Sequence, residues 1–381
     1  MKSILILSDS SLHRDPRVLT QIKALNEKYD LTLWGRSHPG LFFNGQFFKI
    51  NKLCAIRLIL KFIACLCKRC HFFTIVPWTE TKFLHAKISI PKKSYDMILC
   101  NDIESVPLAF ALKRKKTPIY LDAHEFTPRQ FEGTKGFARK SKYLDFLMNK
   151  YVKKVDYGTT VCASIANFYS NDYDFKINDV VMNLPVYNEL QPNSCSEGKI
   201  RLVYHGVANR HRGLFNMIDI FEKLDSRFTL DFFIINQNDG IYNDLIDHAS
   251  KISRITFNQP VSTQKLPETL NKYDIGFYPL NNQVPNQKYA LPNKFFEFIQ
   301  ARLAIAIWPN IEMASIARKH DLGIVTTKFC NDELAEKINN LDVSQLNKFK
   351  ENSDYAAGIY HNQVTIEKIR KGVQSCMNIR N

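Results

Sequence analysis

No stretch of the chain reaches the ~18 uncharged apolar residues that a membrane-crossing helix requires. The opening MKSILILSDSS offers one lysine and then only Ile4 to Leu7 before polar residues return, too little for the apolar core of an export signal, and it predicts a first strand instead. The nine cysteines are odd in number and lack the spacing of a disulfide framework, so free thiols in a reducing cytoplasm are expected. Cys65, Cys67 and Cys70 cluster beside His71, but no second Cys or His pair completes a four-ligand set, and they read as small side chains on a helix. No G-x-G-x-x-G follows the first strand, which argues against a dinucleotide there. No zinc-finger or ribonucleoprotein signature is present, which argues against nucleic acid as a partner.

At 381 residues the chain exceeds one ordinary core, so two domains are expected. With 45% hydrophobic and 23% charged residues it is globular throughout. The net charge of +15 favours anions as partners: nucleotides, phosphorylated substrates or anionic lipid.

Strands and helices alternate along the first half. SILILSD predicts a strand, and DPRVLTQIKALNEKY a helix with Asp15 as N-cap and Pro16 at its first position. DLTLWG, DMILCN, PIYLDA, YGTTV and DVVMN predict further strands, with helices between them. Continuous apolar strands in a repeated βα order specify a buried parallel sheet. LPVYNELQPNSCSEGK has no period and predicts a linker. The pattern then restarts with IRLVYHG, FTLDFFIIN, RITFNQPV, DIGFYPL, AIAIW and GIVTT as strands. The expected fold is therefore α/β, with two tandem Rossmann-like doubly wound domains, 1–184 and 200–353, joined by a linker at 185–199. A helical tail at 354–381 is expected to pack back on the first domain. Segment 51–73 is apolar with Arg57, Lys61, Lys68 and Arg69 interleaved. It reads either as a helix covering the first sheet or as a basic amphipathic helix on an anionic membrane.

Ligands of open parallel sheets bind at the C-terminal ends of the strands, so the loops there are the candidates. After the first strand, Ser11, Arg14 and Arg17 surround a helix start and form an expected anion or sugar seat, set against the plainer reading of a capped helix with solvated arginines. Asn101 and Asp102 follow DMILCN. Asp122, His124 and Glu125 crowd three ionisable groups at one strand end, a density that points to an active site. In the second half, YHGVANRHRGLF places Arg212 and Gly213 at a helix start, suited to a diphosphate. YALPNKFFEFIQ opens a helix behind Pro292, so the first-turn amides of Asn293 and Lys294 are available to an anion. Glu297, one turn on among phenylalanines, is placed to accept from two hydroxyls of a ribose.

SSLHRDPRVLTQIKAL, CNDIESVPLA, LDAHEF, YHGVANRHRG, YDIGFYPL and ALPNKFFEFIQARLAIA, in that order, resemble the GT-B glycosyltransferases, specifically those like family 4, over almost the whole chain. The resemblance implies two domains facing a central cleft, a nucleotide-diphosphate-sugar donor on the second and a glycan or lipid-linked acceptor on the first. It implies transfer without metal or other cofactor, usually with retention. Arg212 then falls at the diphosphate, with Gly206 at the partner position of the family's cationic pair. Glu297 matches the second acid of its Glu-x7-Glu motif, and His124 the histidine near the transferred sugar. Glu125 is the candidate base for an inverting course. The chain departs from the pattern at Tyr289, where the first acid would stand, and at Gly206, where an arginine would. The implied setting is cell-surface polysaccharide synthesis in the cytoplasm or peripherally on the inner membrane face. The alternatives are a GT-B nucleotide-sugar 2-epimerase and a non-catalytic nucleotide- or glycan-binding subunit.

Overall fold

The computed structural model describes the chain apart from residues 51–56, 131, 133–136, 196–197, 283–284 and 380–381. The chain divides into two compact units. The first comprises Met1–Asn183, a short insert at Asn286, and Thr365–Asn381; the second comprises Leu184–Gln283 and Gln287–Val364.

In the first unit the strands are β1 (Lys2–Leu7), β2 (Tyr29–Gly35), β3 (Gly45–Lys49), β4 (Met97–Asn101), β5 (Ile119–Ala123), β6 (Tyr157–Thr160) and β7 (Asp179–Val180). They form one parallel sheet in the order β3-β2-β1-β4-β5-β6-β7. Its helices are α1 (Pro16–Leu25), α2 (Arg57–Arg69), α3 (Thr81–Ser89), α4 (Val106–Leu112), α5 (Phe137–Lys150) and α6 (Ala163–Tyr173). Asp15 caps α1 by accepting from the Val18 amide at 3.2 Å, and Pro16 occupies the first position, where its missing N–H costs no bond. Val18 and Ile22, one turn apart, bury against Ile4, Ile6, Leu31 and Leu33.

The second unit repeats the plan with β8 (Ile200–Val207), β9 (Phe228–Ile235), β10 (Ile255–Asn258), β11 (Ile275–Phe277), β12 (Ala304–Ile307) and β13 (Gly323–Val325), all parallel, in the order β10-β9-β8-β11-β12-β13. Its helices are α7 (Leu214–Glu222), α8 (Ile241–Ala249), α9 (Leu266–Asn271), the short α10 (Pro285–Lys288), α11 (Asn293–Gln300), α12 (Ile311–Lys319), α13 (Asn331–Asn339) and α14 (Val343–Ala357). The last helix, α15 (Asn362–Asn378), belongs to the first unit from Thr365 onward. In each sheet the strand order reverses at one place, between β1 and β4 and between β8 and β11. Such a switch point opens a crevice beyond the strand ends.

One boundary differs from the sequence-based expectation, and one of the two readings of the α2 segment is set aside. The return to the first unit falls at Thr365 rather than at 354, because α14 is anchored in the second unit. Lys350 and Asp274 form a fully buried pair at 3.0 Å, Ser353 donates to the Leu303 carbonyl at 2.6 Å, and Arg302 binds Asp354 at 2.8 Å. Beyond Thr365, Ile369, Val373 and Cys376 recur at helical spacing and complete the first core. Secondly, α2 does not cover the sheet. It packs on α5 and on the turn Val76–Thr79, and turns much of its apolar surface outward. Residues 51–56 of that segment lie outside the described residues. Among the described residues every cysteine is a free thiol, and no helix is long and apolar enough to cross a membrane.

Candidate functional site

At the first switch point, three strand ends converge on a buried polar network. Arg17, the second residue of α1 and 3% exposed, grips Asp122 through two bonds of 2.8 and 2.6 Å and also donates to the Val181 carbonyl. Gln21, one turn further along the same face, donates to Asp122 at 2.7 Å and forms a reciprocal amide pair with Asn101 at 2.8 and 3.0 Å. Thr159 donates a fourth bond to Asp122 at 2.9 Å. Burial alone would raise the Asp122 carboxyl, but Arg17 and then His124 overwhelm it and hold it far below the usual carboxylate range.

This placement corrects two expectations. Arg17 and Asn101 are not available to an acceptor, because both are buried and hydrogen-bonded beneath the sheet edge. The start of α1 offers no anion seat either, since Asp15 fills it. Ser11 and Arg14 remain on the loop. Ser11 is half-buried and bridged to Ser37, whereas Arg14 is exposed. Asp9, in the same loop, draws in Arg36 at 2.9 Å and Lys82 at 2.5 Å.

His124 is held above this network. Its Nδ1 lies 3.7 Å from Asp102 Oδ1 and its Nε2 lies 3.5 Å from Asp122 Oδ2. Both are ion-pair distances, too long for well-formed hydrogen bonds, and Nε2 is a buried polar atom without a hydrogen-bond partner. Burial disfavours the imidazolium, but Asp102 and then Asp122 outweigh it and raise His124 to about 9. It is therefore a cation at neutral pH. Asp102 reaches this position with φ +66° and ψ 153°, a backbone conformation that side-chain-bearing residues adopt at a cost of about 1–3 kcal/mol and that clusters at functional sites. Glu125 is exposed, accepting from Gln130 and, at 2.6 Å, from Asn286.

In the second unit the site forms around β8, β11 and the start of α11. Pro292 stands at the N-cap of α11 with no side-chain cap. The Lys294 side chain does not project outward. It is 6% exposed and runs beneath the end of β8, where its ammonium lies 4.3 Å from the Tyr204 ring centre, 4.7 Å from that of Tyr278 and 3.0 Å from the Tyr204 hydroxyl. Gly206 (φ +135°) makes this possible, since a Cβ there would stand 2.9 Å from the Lys294 nitrogen. The glycine thus leaves room for a lysine from another element. Burial, reinforced by nearby Arg212, pulls the Lys294 ammonium well below its ordinary range.

Arg212, exposed on the short turn before α7, approaches the Tyr278 hydroxyl at 3.4 Å. Gly213 (φ +72°) must be glycine at the start of α7, because a Cβ would meet the Pro279 carbonyl oxygen at 2.5 Å. Glu297 lies 3.3 Å from His205 Nε2. Burial raises the Glu297 carboxyl, with Lys294 opposing. Burial, and then Lys294, push His205 well below its ordinary range, so the pair is not an imidazolium salt bridge near neutral pH.

Tyr204, His205 and Tyr278, like Gln21 and Thr159, are participants that motif reading overlooked. The available signals were the polar residues at the ends of β8 and β11, and the four-residue spacing of Arg17 and Gln21 on an otherwise apolar helix face. Among the described residues no three His, Cys, Asp or Glu side chains come together as a metal site.

No family model and no curated protein sequence matches the chain. Solved structures do match in fold. Sucrose-phosphate synthase from Thermosynechococcus elongatus superposes with a TM-score of 0.71 at 10% identity, covering 100% of both chains. HepE from Anabaena, solved in complex with UDP, gives 0.67 at 12% identity, covering 98% of this chain and 100% of its own. WaaG, described as a glycosyltransferase involved in lipopolysaccharide biosynthesis, gives 0.67 at 12% identity, covering 96% and 98%. The shared architecture is the GT-B fold.

Proposed function

We propose that this chain is a glycosyltransferase that moves a sugar from a nucleoside-diphosphate sugar to a glycan or lipid-linked acceptor. We place the reaction in cell-surface polysaccharide synthesis, at the cytoplasmic face of a membrane, with retention at the anomeric carbon and no metal required. The observation that carries this reading is Lys294: a buried amine held by ring faces and one hydroxyl, beside Arg212 and the start of α11, where Pro292 supplies no side-chain cap. An amine whose charged form is so poorly compensated gains most when a dianion arrives.

In the transfer, the bond from the anomeric carbon to the diphosphate oxygen breaks and one to the acceptor oxygen forms. The leaving nucleoside diphosphate gains negative charge. Arg212, Lys294 and the first-turn amides of α11 stabilise that charge in place, which is where catalytic power in such a reaction resides. Glu297 accepts from the ribose hydroxyls, with His205 steadying its carboxylate. In the first unit, His124 is already protonated and donates to the transferred sugar rather than acting as base. The acceptor proton passes to the departing phosphate oxygen. HepE bound to UDP and WaaG acting in lipopolysaccharide synthesis support the donor class and the setting.

The test is a thermal-shift screen of nucleotides and nucleotide sugars, with Lys294→Ala and Glu297→Ala as controls. Stabilisation by one nucleoside diphosphate family, diminished in both variants, is expected. Equal shifts in wild type and variants would overturn the donor-site assignment. Saturable nucleotide binding without turnover on any lipid-linked acceptor would support a non-catalytic subunit instead.

A further inference from the structure

The proposed function puts the reaction at a membrane without saying which surface meets the lipid. We propose that α2 and the turn that follows it are that surface, lying flat in the headgroup layer of an anionic bilayer. The inference rests on the membrane part of the reading above, not on the donor site.

The first observation is charge. Residues 31–79 contain no Asp or Glu and seven Lys or Arg. The other 332 residues hold all 37 acids, a density that would place about five in a stretch of this length. The second is exposure. Ile59, Phe62, Ile63 and Leu66 are 62, 65, 36 and 45% exposed, and Phe72 and Ile75, just past the helix, are 62 and 46% exposed. At 3.6 residues per turn the four helical positions share an arc of about 100°. On the other side of the helix, Cys67 is buried and the Lys68 ammonium lies 5.2 Å from the Tyr143 ring centre on α5. The helix is thus held to its unit by one side and presents a continuous apolar stripe on the other, the reverse of an ordinary surface helix. Arg69 is exposed beside the stripe, and Lys61, also exposed, lies about 100° further round the helix.

The charge selects the occupant. A second copy docking symmetrically would bring two such cationic stretches together, with no acid in either to neutralise the other. An anionic bilayer meets both needs, because apolar side chains enter the acyl boundary while lysine and arginine meet lipid phosphates. The 13 described residues of the helix span about 20 Å against a hydrocarbon core about 30 Å thick, and Lys61 and Lys68 interrupt them, so they suit the surface of a bilayer rather than its interior. The position suits the proposed chemistry. α2 packs on α5, which in turn packs on the short turns carrying Ile103–Ser105 and Thr127–Arg129, beside Asp102 and His124.

The full chain is sedimented with vesicles of phosphatidylcholine alone and with vesicles containing phosphatidylglycerol. Binding to the anionic vesicles only, weakening as salt rises, is expected. Phe62→Ser with Leu66→Ser should lower the partition coefficient at least tenfold. Arg69→Gln should lower it about fivefold, the equivalent of ~1 kcal/mol for one charge, and Lys61→Gln by less. Because these side chains are exposed, circular dichroism and nucleotide thermal shifts should not change. Equal partition of wild type and Phe62→Ser/Leu66→Ser overturns the proposal, as does partition indifferent to lipid charge. A dimer in sedimentation velocity that this double variant abolishes also overturns it, assigning the stripe to a second copy. If vesicles bind but no nucleotide stabilises the protein, the donor reading fails and this inference stands; the opposite pattern separates them the other way.

Discussion

Both sheets reverse strand order beside their first strand, and both place a basic side chain beyond it, but the two side chains live under opposite conditions. At the end of β5, His124 sits between two carboxylates, and Asp122 is itself tied by Arg17, Gln21 and Thr159. That edge is prepaired: its charges are fixed before any ligand arrives. At the end of β8, Lys294 rests on two tyrosine rings and, among the described residues, has no ion-pair partner within 4 Å. That edge is electrostatically incomplete, and completion is left to something anionic. The comparison teaches that a shared topology fixes where the crevices lie, whereas local polar partners decide whether the charges at a strand edge are already satisfied or still lack a counter-charge.

The strongest way to break the comparison is Asp122→Ala. If the first edge is a prepaired ionic network, the variant strands buried Arg17 and should lose about 3–5 kcal/mol in urea unfolding, or fail to fold. A loss below 1 kcal/mol would show the network to be dispensable.

The charge on His124 can be tested by pH. Its folded value is raised to about 9 from 6.5, so its stabilisation is fully present below about pH 6.5 and disappears as pH rises through 9. Relative to His124→Asn, the wild type should lose at most ~3.5 kcal/mol across that window, taking about 1.4 kcal/mol per pKa unit. A difference that stays flat with pH would mean that the imidazole is neutral.

On the second edge, Lys294→Met should leave unfolding stability unchanged or raise it, since an uncompensated buried amine is replaced by an apolar chain of similar volume. The same change should cost about 2–3 kcal/mol of nucleoside-diphosphate affinity, close to 100-fold by calorimetry. Loss of stability without loss of affinity would reverse the roles assigned to the two edges. The smallest effect is expected from Glu297→Gln, about tenfold in affinity. It should be matched by a similar penalty for a 2′-deoxy nucleotide on wild type and by little further penalty on the variant.

Much of this was legible in the chain. The apolar strands, the Asp15–Pro16 helix start and the restart after Pro185 all follow from local patterns, and they suffice for two parallel sheets. The β3 edge strand escaped notice because its GQFFK pattern is only half-buried and short. Asp102, His124, Arg212 and Glu297 could be nominated because strand ends are legible and polar residues there are few. Arg17 and Asn101 were misread for the same reason. They too lie near strand ends, and nothing local distinguishes a side chain that turns inward from one that turns out. The role of Gly206 was visible only once Lys294, 88 residues later, was found against it.

What the sequence determined by itself was the order of elements, their polarity and hence the crevices, because hydrogen bonding and apolar periodicity act between near neighbours. Only the tertiary structure decided which ionisable groups are charged, which are buried as struts and which side of α2 is bare. Those properties depend on the dielectric and partners around each group, and these are supplied by residues distant in the chain.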